Sequence, residues 1–304
     1  MGQPPSSLLI ERTRSPLISQ RRADQLNDLL SLAFNVTSSS GALQRPASFY
    51  DDFPIWRPGA SPAVNFYMLI GEKDELVSTV GLRSGRLRAL DGKSYEVEMM
   101  GAVATHSAFR GRGYAAHLIE AAVQEVKRSE VDAIVLWDSS QSALYRRLGF
   151  NSFREEYLFR LSDFFLKPRK KAEWKLRSGW NDKIFQAVLD RRSGLRYEHR
   201  DLEWYSRHRH TRWYWVEEKG LCVAWCAVNR GIDLNGIVHE WHGAGDCLQY
   251  LLSEVSVLEP GALLMGPEPP EAGLSFEKTA QGLILPLRAD LDWSKWWFWG
   301  LDAA

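Results

Sequence analysis

The sequence predicts an α/β chain on a mixed sheet, a first α/β unit followed by a second, smaller one. Three observations predict it. Ser94 to Thr105 alternates Tyr95, Val97 and Met99 with polar partners, then turns continuously apolar from Met100 to Ala104, as a strand entering a core does. From Tyr114 onward, Tyr114, Leu118, Ile119, Ala122, Val123 and Val126 fall at helical spacing on one apolar stripe. Ala133-Ile134-Val135-Leu136-Trp137 is a short apolar run, suited to a strand covered on both faces as in parallel pairing.

The remaining elements follow in order. Ser7 to Thr13 reads as a first strand, and Ala23 to Phe34 as a helix bearing Leu26, Leu29, Leu30 and Ala33. Ala47 to Trp56 reads as a short helix with Pro54 near its end. Asn65 to Ile70 and Leu76 to Leu82 form a hairpin across Gly71-Glu72-Lys73-Asp74. After Trp137, Asp138-Ser139-Ser140 breaks the run, Ser142 to Leu148 reads as a short helix closed by Gly149, and Ser152 to Leu161 returns as a strand.

The chemistry concentrates between the strand ending at Thr105 and the helix opening at Tyr114. The first backbone N–H groups of a helix lack intrahelical partners and carry the positive end of its dipole, so that junction can hold a phosphate. Gly111 and Gly113 lack a Cβ and let the main chain approach a ligand, while Arg110 and Arg112 add cationic forks. The loop is not a P-loop, since no Gly-Lys-Ser/Thr follows, and it lacks the third glycine of a dinucleotide fingerprint. Alone, such a Gly/Arg pair reads first as a solvated turn before an amphipathic helix.

A second element changes that balance. Arg110, Gly113 and Ala115 satisfy the pattern Gln/Arg-x-x-Gly-x-Gly/Ala, and Leu144-Tyr145-Arg146-Arg147-Leu148-Gly149-Phe150 satisfies Leu-Tyr-x-x-Leu-Gly-Phe. In that order, with a buried strand between them, residues from about Leu8 to Leu161 resemble the GNAT superfamily of acetyl-CoA-dependent N-acetyltransferases. The resemblance implies two parallel central strands that splay apart around the pantetheine arm of acetyl-CoA. Main-chain groups of Val103, Ala104 and Thr105 would hold the thioester, and the N–H groups of Gly111, Arg112, Gly113, Tyr114, Ala115 and Ala116 the pyrophosphate. An amine attacks directly, helped by proximity and by a preorganised site for the oxyanion. Tyr145 would protonate the departing thiolate, its ordinary pKa of about 10 keeping it a donor at neutral pH; the structural alternative is packing on the sheet.

Glu96 and Glu98 share one strand face opposite Met99, and Glu98, nearer the thioester, is the preferred base; both also suit solvated strand acids. His106 is a weaker candidate in the turn. Relatives often place Asn just past the second strand; here Ser139 or Ser140 would take its role, with Ser139 preferred. The loop over the acceptor site would be Thr37 to Pro46, a lid or simply a surface loop.

The bounds agree. A chain of 304 residues suits two domains: 1–166 carrying the coenzyme site, 167–178 as a basic linker around Lys167-Pro168-Arg169-Lys170-Lys171, and 179–304 as a second α/β domain. Zero formal net charge gives no global field for nucleic acid or an anionic membrane, and no run approaches the about 20 apolar residues of a span. Cys222, Cys226 and Cys247, odd in number and without zinc spacing, favour a reducing, cytoplasmic setting. Met1-Gly2 formally matches a myristoylation start, but without basic support it reads as a disordered leader.

In the second domain, Lys183 to Arg192 and Leu202 to Arg209 read as helices; Trp213 to Glu217, Leu221 to Val228 and Ile237 to Trp241 as strands; Asp246 to Val255 as a helix. Leu263 to Met265 and Leu283 to Leu287 are further strands. That order resembles a GNAT module stripped of its Arg-x-x-Gly cradle, and by this structural analogy the second domain is expected to be a degenerate second copy. The Trp213-Tyr214-Trp215, Trp225, Trp241 and Trp296-Trp297-Phe298-Trp299 clusters read as core or inter-domain packing before a base-stacking surface. His239 and His242, three apart on a strand, face opposite ways, so no metal is expected.

Two function classes stay open at this level. One is transfer of acetyl from acetyl-CoA to a primary amine, on a small molecule or a lysine side chain, with no metal, nucleic acid or membrane partner and an open oligomeric state that includes a dimer. The other is a coenzyme-binding sensor or structural protein without chemistry. Relatives that transfer aminoacyl groups from tRNA lack the Arg-x-x-Gly cradle and rank last.

Overall fold

The computed structural model describes residues 8–34, 48–137, 143–163, 171–231, 233–268 and 274–303. The lid or loop expected at Thr37 to Pro46, the leader, and most of the basic run lie outside them. One mixed sheet of 13 strands runs through both halves of the chain. The first half supplies β1 (Leu9–Arg14), β2 (Val64–Ile70), β3 (Leu76–Arg88), β4 (Ser94–Thr105), β5 (Ala133–Leu136) and β6 (Asn151–Arg160). The second supplies β7 (Lys175–Ser178), β8 (Gly194–Leu195), β9 (Arg212–Glu218), β10 (Leu221–Val228), β11 (Ile237–His242), β12 (Leu263–Gly266) and β13 (Phe276–Pro286).

Read inward from the two edges, the order is β1-β2-β3-β4-β5-β13 and β7-β9-β10-β11-β12-β6, with β8 set against β3. The halves therefore mirror one another strand for strand. Each has one parallel pair, β4 with β5 and β11 with β12. Each also sends its last strand across: β13 lies between β5 and β6, pairing Leu283 with Leu136 and Ile284 with Asn151. Local sequence carries no such signal, because the pairing joins segments more than a hundred residues apart.

The helices are α1 (Gln20–Ala33), α2 (Phe49–Asp52), α3 (Tyr114–Val126), α4 (Ala143–Arg147), α5 (Asp182–Leu189), α6 (Leu202–Tyr205) and α7 (Gly245–Leu258). α1 begins earlier than its apolar stripe because Ser19 caps it, accepting from the Arg22 N–H. The second predicted helix splits: α2 ends at Asp52, and Pro54 opens a separate 3-10 turn to Trp56 instead of closing the helix. Within the span read as linker, Lys175–Ser178 forms β7 and extends the sheet beside β9.

One face of the sheet is covered by α1, α2, α5 and α6 in a single core that spans both halves. On the other face α3 and α7 each close a core of their own. All six predicted stripe residues of α3 are buried there, each of the larger ones worth about 1.5–3 kcal/mol. The aromatic clusters are core: Trp213, Trp215, Trp225, Trp296, Trp297, Phe298 and Trp299 are all buried. The C-terminal segment is locked by a buried ion network in which Asp302 accepts from Arg191, from the Tyr197 hydroxyl at 2.7 Å and from the Leu195 N–H at 3.1 Å. Arg191 also donates to Glu240 at 2.6 Å.

Candidate active site

β4 and β5 run in register from Val97 opposite Ala133 to Met100 opposite Leu136, and there the ladder stops. β4 continues to Thr105, so among the described residues its edge facing β5 has no strand partner from Gly101 on. A bulge marks the divergence: β3 shifts register between Thr79 and Gly81, and Ala102 takes a left-handed φ of 48°. The Trp56 indole lies on Gly101, where a Cβ would collide with it. The bulge and its tryptophan were not legible in advance, since neither leaves a periodic signature.

Beyond Thr105 a short 3-10 turn, Ser107–Phe109, leads into the loop, and α3 opens at Tyr114 with Gly113 as its N-cap at φ 81°. No side chain caps this end. Among the described residues, no group accepts from the N–H of any residue from Gly111 to Ala116; the helix ladder starts at His117, which donates to the Gly113 carbonyl at 3.0 Å. Space lies open where a Cβ on Gly111 or Gly113 would point. Six bare amides, a helix dipole and an open approach make an anion cradle.

The cradle forms one wall of a cavity of about 630 Å³. Val103, Ala104, Thr105, Arg110, Gly111, Gly113, Tyr114, Ala115 and Ala116, all expected, line it together. Arg112 does not; its guanidinium sits over the Phe109 ring at 5.4 Å. Ser139 lies outside the described residues. Ala33, Phe34, Phe109, Leu144 and Arg147 are the other described residues that line it. Leu144 and Arg147 belong to the Leu-Tyr-Arg-Arg-Leu-Gly-Phe run, whose pattern assigns neither of them to a ligand, and no sequence pattern ties the end of α1 to this loop.

Tyr145 is 9% exposed on α4, edge-on to Phe150 at 5.8 Å. It belongs to the apolar cluster on the α3 side of the sheet, together with Val103, Phe109, Tyr114 and Leu144 of the cavity wall. Glu98 is not brought to the cavity. It shares the Met100 face of β4, accepts from Ser84 Oγ at 2.6 Å, and lies near Arg12 and Tyr67, whose hydroxyl donates to Glu125 of α3 at 2.9 Å. Burial pushes its carboxyl up to about 7, with the Ser84 hydrogen bond and Arg12 working against the shift. Glu96 is elsewhere, its Oε1 taken by Arg86 at 2.7 Å. The His106 ring accepts from the Ala108 N–H at 3.3 Å, which ties it to its own turn.

The model of the acetyltransferase (GNAT) domain matches residues 17–153. Those residues form a GNAT domain. Its fold, with the second half included, is similar to that of a conserved protein of unknown function from Enterococcus faecalis V583, at 14% identity and TM-score 0.67 over 93% of this chain and 73% of that one. It is similar to a GCN5-related N-acetyltransferase from Anabaena variabilis, at 15% identity and TM-score 0.62 over 92% and 73% of the two chains. A tandem GNAT protein from the clavulanic acid biosynthesis pathway shares 13% identity at TM-score 0.52, over 93% and 99%. Comparison with curated proteins gives no match.

The mirrored position in the second half looks different. β11 and β12 pair only at Ile237–Leu263 and Val238–Leu264 before diverging. There the Trp241 indole N–H donates to the Met265 carbonyl at 2.8 Å, and Trp297 and Trp299 pack against Met265 and Trp241. The eight residues that join β4 to α3 in the GNAT domain are reduced to Gly243 and Ala244 before α7. His239 and His242 serve packing: His239 Nε2 contacts the Asn229 carbonyl at 3.0 Å, and His242 stacks on Trp225 at 4.7 Å. No helix among the described residues is long and apolar enough to cross a membrane.

Proposed function

We propose that the chain transfers an acetyl group from acetyl-CoA to a primary amine, of a small molecule or of a lysine side chain, using one coenzyme site. We assign that site to a module of residues 1–166, joined through 167–178 to a silent copy at 179–304. The observation that carries the reading is the conjunction of the end of β4, past the point where its pairing with β5 stops, with the bare amides at the start of α3, both walls of one cavity. The donor would lie with its diphosphate on residues 111–116 and its thioester beside Val103 to Thr105. Attack by the amine forms the C–N bond, the tetrahedral adduct collapses with loss of the C–S bond, and the thiolate takes a proton from Tyr145. Glu98, with a carboxyl near 7, has the proton affinity of a base at neutral pH; facing α3, it would act through a relay and not by contact with the amine.

The silent copy is supported by Trp241, Trp297 and Trp299 where the second split would have to admit a ligand. A second reading is favoured by one feature: no carboxylate or histidine lines the cavity among the described residues, as a coenzyme sensor without chemistry would have it. One assay separates the two. Acetyl-CoA is incubated with the protein and a panel of primary amines, and free thiol is measured. Amine-dependent release is expected; tight binding of acetyl-CoA with no release, with any amine or with water, would leave the sensor.

A further inference from the structure

The cradle accommodates one anionic group and leaves one cation of the cavity wall unemployed. Arg110 is engaged, its Nε donating to the Thr105 carbonyl at 3.1 Å. Arg112, outside the cavity, leans on the Ala108 carbonyl at 3.4 Å. Arg146 turns to Ser152 Oγ at 3.3 Å. Arg147, at the end of α4, lines the cavity, is exposed, and has no hydrogen-bond, ion-pair or ring partner among the described residues. No Asp or Glu is present among the described lining residues to hold it.

A guanidinium facing a cavity loses hydration when a ligand enters, and only an incoming anion compensates that loss. The diphosphate of the donor already has the amides of residues 111–116 and the dipole of α3. A second, separate phosphate has no other unpaired arginine in this wall. Acyl thioesters reach enzymes in two chemical forms: on pantetheine bound to a carrier protein by one phosphodiester, or on a nucleotide whose ribose carries a further phosphate. We infer that Arg147 holds the ribose 3′-phosphate, and that the site thereby selects coenzyme A thioesters over carrier-bound pantetheine. The inference rests on the coenzyme reading above.

The test is calorimetric titration of the full chain with coenzyme A, with dephospho-coenzyme A and with free phosphopantetheine, in wild type, Arg147→Ala and Arg147→Lys. Wild type should prefer coenzyme A to the dephospho form by about tenfold to a hundredfold, the range for a charge-assisted bond to phosphate. Arg147→Ala should bring coenzyme A down to the dephospho level and leave the dephospho affinity unchanged; Arg147→Lys should recover part of the difference. Equal affinity of wild type for the two nucleotides, an equal loss of both in Arg147→Ala, or phosphopantetheine binding as tightly as coenzyme A overturns the role of Arg147 while the cradle stands. A wild type that binds none of the three overturns the cradle and this assignment together.

Discussion

Gly113→Glu probes the cradle with the fold held nearly constant. Gly113 sits at φ 81°, a conformation that costs an L-residue about 1–2 kcal/mol, and no atom within 4 Å would oppose the new Cβ. The carboxylate recovers about 0.3–1 kcal/mol from the dipole of α3, so the net destabilisation is about 1 kcal/mol, a shift of about 2 °C in Tm. Ligand binding fares differently. A carboxylate about 4 Å from a phosphate charge is repelled by about 1 kcal/mol at the dielectric constant of water and about 4 kcal/mol at an effective value of 20. That range corresponds to a loss of between about fivefold and about a thousandfold in affinity per charge pair. Gly113→Ala carries the backbone strain without the charge and should keep most of the affinity. Calorimetry with coenzyme A and a thermal melt on the three proteins give the comparison. Wild-type affinity in Gly113→Glu, with the protein folded, would refute the diphosphate position.

Tyr145→Phe should lower kcat for thiol release by about a hundredfold and leave the KM for acetyl-CoA near wild type, and an unchanged kcat would remove the acid role. The Glu98 carboxyl is raised in the folded state from its ordinary 4.5 to about 7, so the folded protein binds the extra proton between those values. Stability therefore falls as pH rises from about 4.5 to about 7, by on the order of 3 kcal/mol at most. Glu98→Gln should raise Tm more at pH 8 than at pH 5; an equal shift at both would contradict that. Asp302→Ala strands the buried Arg191 beside Glu240 alone and should cost about 3–5 kcal/mol in denaturant unfolding, and a loss under about 1 kcal/mol would show the network to be dispensable.

Much of the first half was legible because its signals are local. Ser94 to Thr105 is β4 to the residue, and the stripe from Tyr114 to Val126 is α3, since both alternations are set by which face is buried. The cradle residues came together because a strand, a glycine loop and a helix start dictate their geometry within twenty-odd positions. Glu98 shows where this stops. Its alternation with Met99 was readable, but which face of β4 meets the donor depends on where α1 and α3 dock. The same holds for β13, whose place between β5 and β6 is decided by edge pairing across the chain, and for β7, whose four residues follow a basic run with three residues between. The closure of the second split by Trp241 and the C-terminal tryptophans is equally tertiary: the sequence shows the rings and not what they fill.

Amide hydrogen exchange with and without saturating coenzyme A tests the central claim most directly. Slowed exchange at residues 111–116 and 103–105, with residues 243–247 at the start of α7 unaffected, is the predicted result. Unchanged exchange across 111–116 under saturation, or protection at α7 in its place, would contradict it.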